Sequence, residues 1–249
     1  MLGLGNSITG GVALGSDFTP TDLGSTLLAW YQLNTGQTNL SGTDGNADNE
    51  MKWADQSGNS RHATQRTDAE KPAFTSGYVD FEDTSVSDHL EIQGTAIELG
   101  TNGSDACTII IALRRESEGT DRFLGQATQE FMGFVANDTS LQTRSASTQS
   151  TNVFADNPFP INEVLVLTYT IDGDRHQSFY KNNSELTFTS ESNPLAGTEL
   201  DIAYIGHHKN NDSTNSFDGR IYELIICDTV LSDADRQAAT SYVMSQVGL

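Results

Sequence analysis

Two carboxylate residues near residue 200 have a spacing that a glycosidase can use. Glu199 and Asp201 lie two residues apart in a predicted strand, where alternate side chains point to the same side. Retaining glycoside hydrolysis needs an acid and a nucleophile about 5 Å apart, a distance that such a pair can meet. Glu199, however, directly follows Gly197 and Thr198 at the start of the strand. We therefore interpret both residues as polar strand residues, and since there is no G-x-S-x-G motif either, we predict that the protein is not an enzyme.

An acidic turn in the first quarter of the chain has side-chain oxygens at alternate positions. Asp44, Asn46 and Asp48 have a spacing that suits a Ca²⁺ loop. The sixth position is Asn49 rather than glycine and the twelfth is not glutamate, so the segment is not an EF-hand. A solvated acidic turn is the favoured interpretation, and a calcium site is the alternative. No other cofactor is predicted.

A third group of residues has the composition of a sugar-binding site. Carbohydrate binding uses an exposed aromatic ring beside polar groups, and Tyr204 with the polar loop at 206–216 supplies both. The tentative ligand-binding residues are Tyr204, His207, His208, Asn210 and Asp212. The two histidines next to Asp212 also suggest a transition metal, but neighbouring residues of a strand point to opposite faces, which disfavours that reading.

The overall charge limits the possible partners. The chain has 249 residues, with 13 basic and 34 acidic side chains and a formal net charge of -21. Binding to DNA, RNA or an anionic membrane surface depends on clustered lysine and arginine, so these partners are not predicted. No apolar run approaches the roughly 20 residues that span a bilayer. The first residues contain no basic side chain and their apolar residues are interrupted by Gly and Ser, so no secretory signal is predicted either.

The elements that must position these groups are almost all strands. Alternating or continuous apolar residues predict strands, with the strongest signal over 163–171. The other predicted strands are 27–33, 51–53, 78–81, 89–92, 108–113, 177–180, 200–205 and a meander of 123–125, 131–135 and 141–144. Cys107 and Cys227 each lie in an apolar strand, which predicts buried free thiols.

One helix is predicted over 232–247. Ser232 is placed to cap it, and Asp235 completes an acidic version of the capping box. Helical spacing puts one set of residues on a common face, which we expect to pack against the edge of the sheets: Ala234, Ala238, Tyr242 and Val243.

Two segments together resemble a known family. They are WADQSGNSRHATQ at 53–65 and FDGRIYELIICDTVLSDADRQAATSYV at 217–243. They resemble the concanavalin A-like lectin/glucanase domain in its laminin-G-like form, over about 18–249. The matching pattern is a late G-x-I-x-E-apolar strand, followed by a helix that opens with L-S-D-A-D-R; the strand positions are Gly219, Ile221, Glu223 and Leu224. The resemblance implies an all-β fold, a two-sheet antiparallel jelly-roll sandwich with a short C-terminal helix and an N-terminal arm.

The resemblance also implies roles for single residues. Trp30 is expected to face the core, and the turn that contains Asp55, Ser57, Gly58 and Asn59 is expected to be structural. One glucanase group with this fold has an E-[ILV]-D-x-x-E strand, in which this chain replaces the third carboxylate with Tyr204.

Residues 1–17 form a predicted docking arm that precedes the domain at 18–249. The arm is rich in glycine and has regularly spaced apolar residues, which suits contact with its own domain or with another protein. The predicted anchoring residues are Leu2, Leu4, Ile8, Val12 and Leu14. The opening MLGLGNS resembles the starts of phage structural proteins.

These observations predict a phage virion protein, displayed on the capsid exterior as a decoration protein. Its predicted partner is the major capsid protein or another virion protein, bound through the arm, and host surface glycans are a further candidate. The alternatives are a carbohydrate-binding receptor-recognition module of a tail fibre and a free lectin-like protein. Nucleic acid and membrane insertion are not predicted.

Overall fold

The computed structural model describes residues 18–83, 87–99, 106–127, 130–135, 139–145, 148–192, 200–207 and 215–249. The described strands are β1 (Leu27–Tyr31), β2 (Gln37–Asn39), β3 (Met51–Trp53), β4 (Ala63–Gln65), β5 (Ala73–Thr75), β6 (Tyr78–Phe81), β7 (Leu90–Ile92), β8 (Cys107–Arg115), β9 (Arg122–Ala127), β10 (Glu130–Phe134), β11 (Ser140–Ser145), β12 (Thr148–Phe154), β13 (Leu165–Ile171), β14 (Gln177–Lys181), β15 (Ser184–Leu186), β16 (Phe188–Ser192), β17 (Tyr204–Ile205) and β18 (Gly219–Cys227). The helix α1 is Asp233–Val247, and short 3-10 helices occupy Pro20–Thr26, Ala47–Asn49 and Asp68–Glu70.

These strands form two antiparallel sheets. The eight-stranded sheet has the order β15-β14-β13-β8-β18-β6-β5, with β1 also paired to β18. The ten-stranded sheet has the order β16-β12-β11-β10-β9-β17-β7-β4-β3-β2. Neighbours β9 to β12 are consecutive in the chain, so the predicted meander is confirmed. The predicted jelly-roll sandwich with a C-terminal helix is confirmed as well.

The main core lies between the two sheets. Apolar side chains of both sheets meet in it, among them Trp53, Ile111, Leu167 and Phe134. Strand β13 is buried at every position because one of its faces meets this core and the other meets α1. A strand that is covered on both faces has a nearly continuous apolar sequence, which explains why its signal was the strongest in the chain.

Helix α1 crosses the outer face of the eight-stranded sheet. It contacts β8 and β13, which lie in the middle of that sheet, so the expected packing at an edge is wrong. Ser232 caps the helix as predicted, accepting a hydrogen bond from the backbone N–H of Asp235 at 3.2 Å. The predicted face is wrong at Ala234, which is exposed. The buried residues of the helix are Arg236, Ala239, Thr240 and Val243.

Trp30 belongs to this second cluster rather than to the main core. Its neighbours on β1, Ala29 and Tyr31, face the main core, so alternation directs Trp30 to the helix side. Its indole Nε1 donates to Glu223 Oε1 at 2.8 Å. The expectation that Trp30 faces the main core is therefore corrected, although the side chain is buried.

The turn that follows β3 is structural, as the resemblance implied. Asp55 Oδ1 accepts the backbone N–H of Trp30 and of Ser57, both at 2.9 Å. Asn59 Nδ2 donates to the carbonyls of Leu27 and Leu28. These bonds tie the turn to β1.

One further expectation is confirmed and one is corrected. Of the strand predicted over 200–205 only β17 is a strand, while Ile202 forms an isolated bridge to Ile97. The two cysteines are free and buried, as predicted; Cys107 faces the main core and Cys227 faces the helix cluster. The arm and its five anchoring residues lie outside the described residues, and the domain boundary at 18 stays a prediction.

Candidate functional site

The outer face of the ten-stranded sheet presents a row of cross-strand neighbours, which Gly125 interrupts. Strand register pairs Thr64 with Glu91, Glu91 with Tyr204, and Tyr204 with Gly125. The row continues through Phe131 to Arg144. On β7 and β17 the alternate residues Leu90, Ile92 and Ile205 face the main core, so alternation places this row on the opposite side of the sheet.

A cavity of about 350 Å³ opens beside the first part of this row. The side chains that define its chemistry come from β4, from β7, from residues next to these strands and from the 3-10 helix Asp68–Glu70. They are Gln65, Arg66, Glu70, His89, Glu91 and Gln93. Amides, carboxylates and an imidazole make this a polar cavity, which does not suit an apolar ligand. Its volume suits one or a few sugar rings.

His89 is held in a defined orientation at the cavity wall. Its Nδ1 lies 3.2 Å from the carbonyl oxygen of Ser87, so Nδ1 is the donor in this pair. Its Nε2 then accepts from Gln65 Nε2, 3.0 Å away. The Oε1 of Gln65 accepts the backbone N–H of Arg66 and of Thr67, which fixes the amide orientation. The cavity therefore has an imidazole of fixed orientation in its wall.

Glu50 holds two residues of the cavity lining, Arg66 and Gln93. Its Oε2 accepts from Arg66 Nε at 3.1 Å and from Arg66 Nη2 at 2.7 Å. The same oxygen accepts from Gln93 Nε2 at 3.2 Å. The guanidinium and the amide nitrogen thus point at a carboxylate of the protein, and their positive character is largely compensated.

Two of the residues predicted from the sequence contact His89 of the cavity wall, although neither of them lines the cavity itself. The ring of Tyr204 lies edge-on to His89, with centroids 5.6 Å apart. The ring of His207 is 6.3 Å from His89 and is buried. The other predicted ligand-binding residues, His208, Asn210 and Asp212, lie outside the described residues.

Sequence reasoning missed the cavity residues on β4 and β7. The polar positions of 89–92 are His89 and Glu91, and the alternation that predicted this strand also marks them as its solvent-facing residues. Their contact with Gln65 had no such signal, because it depends on which strand lies next to β7.

A second group on the same face lies beyond Tyr204. The guanidinium of Arg122 stacks on the ring of Phe131, 4.0 Å from its centroid. Phe131 is buried, although it faces away from the main core. Arg144 is its cross-strand partner on β11. This cation–π arrangement covers an apolar ring on an otherwise polar surface.

The proposed hydrolase pair is only half described, because Glu199 lies outside the described residues. Asp201 is not on a regular strand. In the amide orientation that satisfies both of its polar atoms, Gln126 Nε2 donates a hydrogen bond to Asp201 Oδ2 at 2.9 Å. The same nitrogen donates to Glu130 Oε2 at 2.7 Å. Asp201 is therefore part of a hydrogen-bonded surface group next to β17.

The acidic turn suggested as a calcium site is held by bonds within the protein. Asp44 Oδ1 accepts the backbone N–H of Asp68 at 2.7 Å, and Asp48 Oδ1 accepts that of Thr43 at 3.2 Å. Among the described residues, no three His, Cys, Asp or Glu side chains are grouped to hold a metal. Calcium at Asp44, Asn46 and Asp48 stays a prediction. Across all of the described residues, no helix is long and apolar enough to cross a membrane.

No protein-family model and no curated protein matches this sequence. Several solved structures match its fold. A Trypanosoma rangeli sialidase in complex with a 2,3-difluoro-nononic acid has a TM-score of 0.55 at 10% identity, over 89% of this chain and 33% of that chain. Botulinum neurotoxin type C, described as interacting with two ganglioside molecules, has a TM-score of 0.54 at 11% identity, over 90% and 53%. Domain 4 of the arabinanase AbnA from Geobacillus stearothermophilus, in complex with arabinotriose, has a TM-score of 0.48 at 16% identity, over 87% and 98%.

The sialidase and neurotoxin matches support a jelly-roll sandwich fold and correct one prediction. The chain spans about a third of the length of the sialidase chains that it matches. Because enzymes are among the proteins with this fold, the prediction that the chain is not an enzyme is wrong. At 10–13% identity to the sialidases, the likeness shows the fold and assigns no activity.

Proposed function

We propose that this domain is a glycan-binding module that holds a sugar in the cavity on the outer face of its ten-stranded sheet. The observation that supports this most strongly is the cavity itself. Its lining contains the carboxylates of Glu70 and Glu91, and the ring of Tyr204 lies edge-on to the wall residue His89. Fixed polar groups next to an aromatic ring suit the two faces of a sugar, its hydroxyls and its C–H bonds.

The comparisons support the same proposal at the level of the fold. The sialidase structures include one in complex with sialic acid, and the botulinum neurotoxin interacts with gangliosides. Sandwiches of this shape thus occur in proteins that handle glycans.

Removal of the Tyr204 ring tests the proposal. An array of neutral and acidic oligosaccharides, followed by calorimetry, measures binding by the native chain and by Tyr204→Ala. We expect Tyr204→Ala to weaken binding about 3- to 10-fold, since a stacked ring contributes roughly 0.5–1.5 kcal/mol. Tyr78→Ala is the matched control, because Tyr78 is a half-buried strand tyrosine of the eight-stranded sheet. Equal binding by native protein and both variants would contradict the assignment.

We further propose that the domain is displayed on the exterior of a phage capsid, as a decoration protein that residues 1–17 attach to the major capsid protein or another virion protein. What supports this is the position of Phe18, the first described residue. Its ring packs on Tyr242 of α1, with centroids 6.3 Å apart, on the side of the sandwich away from the cavity. A chain attached through the preceding residues would turn its cavity outward.

Particle composition tests the display proposal. Quantitative mass spectrometry of purified particles should find this chain in hundreds of copies, and a variant that lacks residues 1–17 should no longer attach. A handful of copies would favour the tail-fibre alternative. Absence from particles would favour a free lectin-like protein.

A further inference from the structure

We infer that the cavity selects uncharged glycans and rejects acidic ones such as sialylated or uronic acid chains. This inference rests on the proposed glycan-binding function and adds the chemical class of the ligand. It depends on the signs of the charges around the cavity and on which hydrogen-bonding groups the protein already uses.

The charge balance around the cavity is negative. Glu70 and Glu91 line it, and Glu50 lies behind Arg66. Arg66 is the basic residue among the lining residues, and its ion pair with Glu50 at 2.7 Å compensates its charge. A carboxylate on a ligand would therefore meet two lining carboxylates and an already paired guanidinium.

The hydrogen-bonding groups point in the same direction. Gln93 Nε2 donates to Glu50, and Gln65 Nε2 donates to His89. The Nδ1–H of His89 is directed at the Ser87 carbonyl. At least one N–H of each of these groups is thus used inside the protein, while the carboxylates of Glu70 and Glu91 line the cavity as acceptors. Sugar hydroxyls can donate to such acceptors, whereas a ligand carboxylate cannot.

The arginines of the same face lie elsewhere. Arg122 and Arg144 flank Phe131 on β9 to β11, beyond Tyr204 in the cross-strand row. A sugar seated in the cavity is on the other side of Tyr204 from them. Lys52 of β3 is nearer, because it is the cross-strand partner of the lining residue Thr64. The three carboxylates of Glu50, Glu70 and Glu91 still outnumber the two basic groups of Arg66 and Lys52, so the charge around the cavity stays negative.

Matched pairs of probes test the inference. Calorimetry compares lactose with 3′-sialyllactose, and galactose oligomers with galacturonic acid oligomers of the same linkage. For at least one pair we expect the neutral member to bind at least about fivefold more tightly. A preference of that size corresponds to the repulsion between two like charges about 4 Å apart in water. The difference should shrink in 1 M salt, where the screening length falls to about 3 Å.

Isosteric variants locate the effect. The double variant Glu70→Gln with Glu91→Gln should bring the two members of a pair to nearly equal affinity. Glu185→Gln, which removes an exposed glutamate from β15 on the other sheet, should leave the preference unchanged. Unchanged melting temperatures would show that the variants are folded.

Two results would overturn the inference, and they differ. If the native protein binds glycans but prefers the acidic members, or binds both members of every pair equally, the cavity is not selective as inferred. If no glycan of either kind binds, the proposed function itself fails.

Discussion

At the scale of single residues, Glu223 is the most unusual group in the described part of the chain. Its Oε1 accepts from Trp30 Nε1, while its buried Oε2 has no hydrogen-bond partner. Burial raises the pKa of Glu223 to about 7, and the bond from Trp30 opposes the shift. The signature glutamate of the late strand is therefore a buried acid beneath the helix, and its ionised form is the less stable one there.

Replacing this acid should stabilise the protein at alkaline pH. Glu223→Gln keeps an oxygen that can accept from Trp30 and removes the buried charge. Because Glu223 is protonated well below pH 7, we expect a higher melting temperature than native at pH 8 and a similar one at pH 5. Melting followed by circular dichroism measures both. Glu185→Gln, on an exposed strand, is the control, and a lower melting temperature of Glu223→Gln at pH 8 would contradict this account of the site.

The sequence located some site residues and missed others for a physical reason. Tyr204 was found because an aromatic residue next to a polar loop is a local pattern. The Gln65–His89 contact was missed because it joins β4 to β7, and the sequence did not show that these strands are neighbours. Local patterns predict which residues face outward, while the partner strand decides which of them meet.

At the scale of elements, β18 is the strand of the eight-stranded sheet that pairs with three others. It pairs with β8 along its whole length, with β6 at its start and with β1 at its end. A side chain at Gly219 would overlap the carbonyl oxygen of Arg114 on β8. The glycine of the family-like motif is therefore required by the close approach of two strands.

A methyl group at that glycine should weaken the fold. We expect Gly219→Ala to lower the free energy of unfolding by about 1–3 kcal/mol, since the backbone of β8 must move or strain to accommodate it. Gly173→Ala is the control, because nothing lies within 4 Å of a Cβ added there and its change should stay within about 0.5 kcal/mol. Urea titration compares the two, and equal effects would contradict the packing argument.

The helix shows where periodicity fails as a guide. Its existence and cap were predicted, but its buried face contains Arg236 and Thr240. Arg236 stacks on Tyr180 at 3.7 Å, and Thr240 shares a hydrogen bond of 2.9 Å with Thr168 of β13. Polar residues on the inner face bind partners on the sheet, so apolar spacing alone identified Val243 and Tyr242 but missed Arg236 and Thr240.

At the scale of the whole molecule, acidity and burial combine. The chain has a net charge of -21, and burial raises the pKa of Asp88 and Asp121 to about 7, as it does for Glu223. Asp121 lies 3.7 Å from the buried Arg115, which opposes its shift. Each raised pKa means that the folded state binds a proton more tightly than the unfolded state.

Stability should therefore fall as the pH rises. For a carboxyl whose folded pKa is raised, the stabilisation is complete below the unfolded pKa of about 4 and is lost as the pH passes the folded value. We expect the free energy of unfolding to be lower at pH 8 than at pH 5, and self-repulsion of the net charge acts in the same direction. Urea titrations at the two values measure it, and greater stability at pH 8 would show that the burial of these acids is misassigned.

The two outer faces of the sandwich have different characters. One is covered by α1 and receives the chain from Phe18, while the other presents Tyr204 and the polar cavity. The resemblance predicted the sandwich, but it did not indicate which sheet would hold the cavity, because that depends on strand order across the whole chain.

The central claim is that a glycan binds on the outer face of the ten-stranded sheet. Nuclear magnetic resonance titration of the labelled chain, with the tightest-binding neutral oligosaccharide of the paired set, tests it most directly. The account predicts shift changes concentrated on β4, β7 and β17, with His89, Glu91 and Tyr204 among the largest. Changes confined to the eight-stranded sheet or the helix, or no saturable change at all, would contradict it.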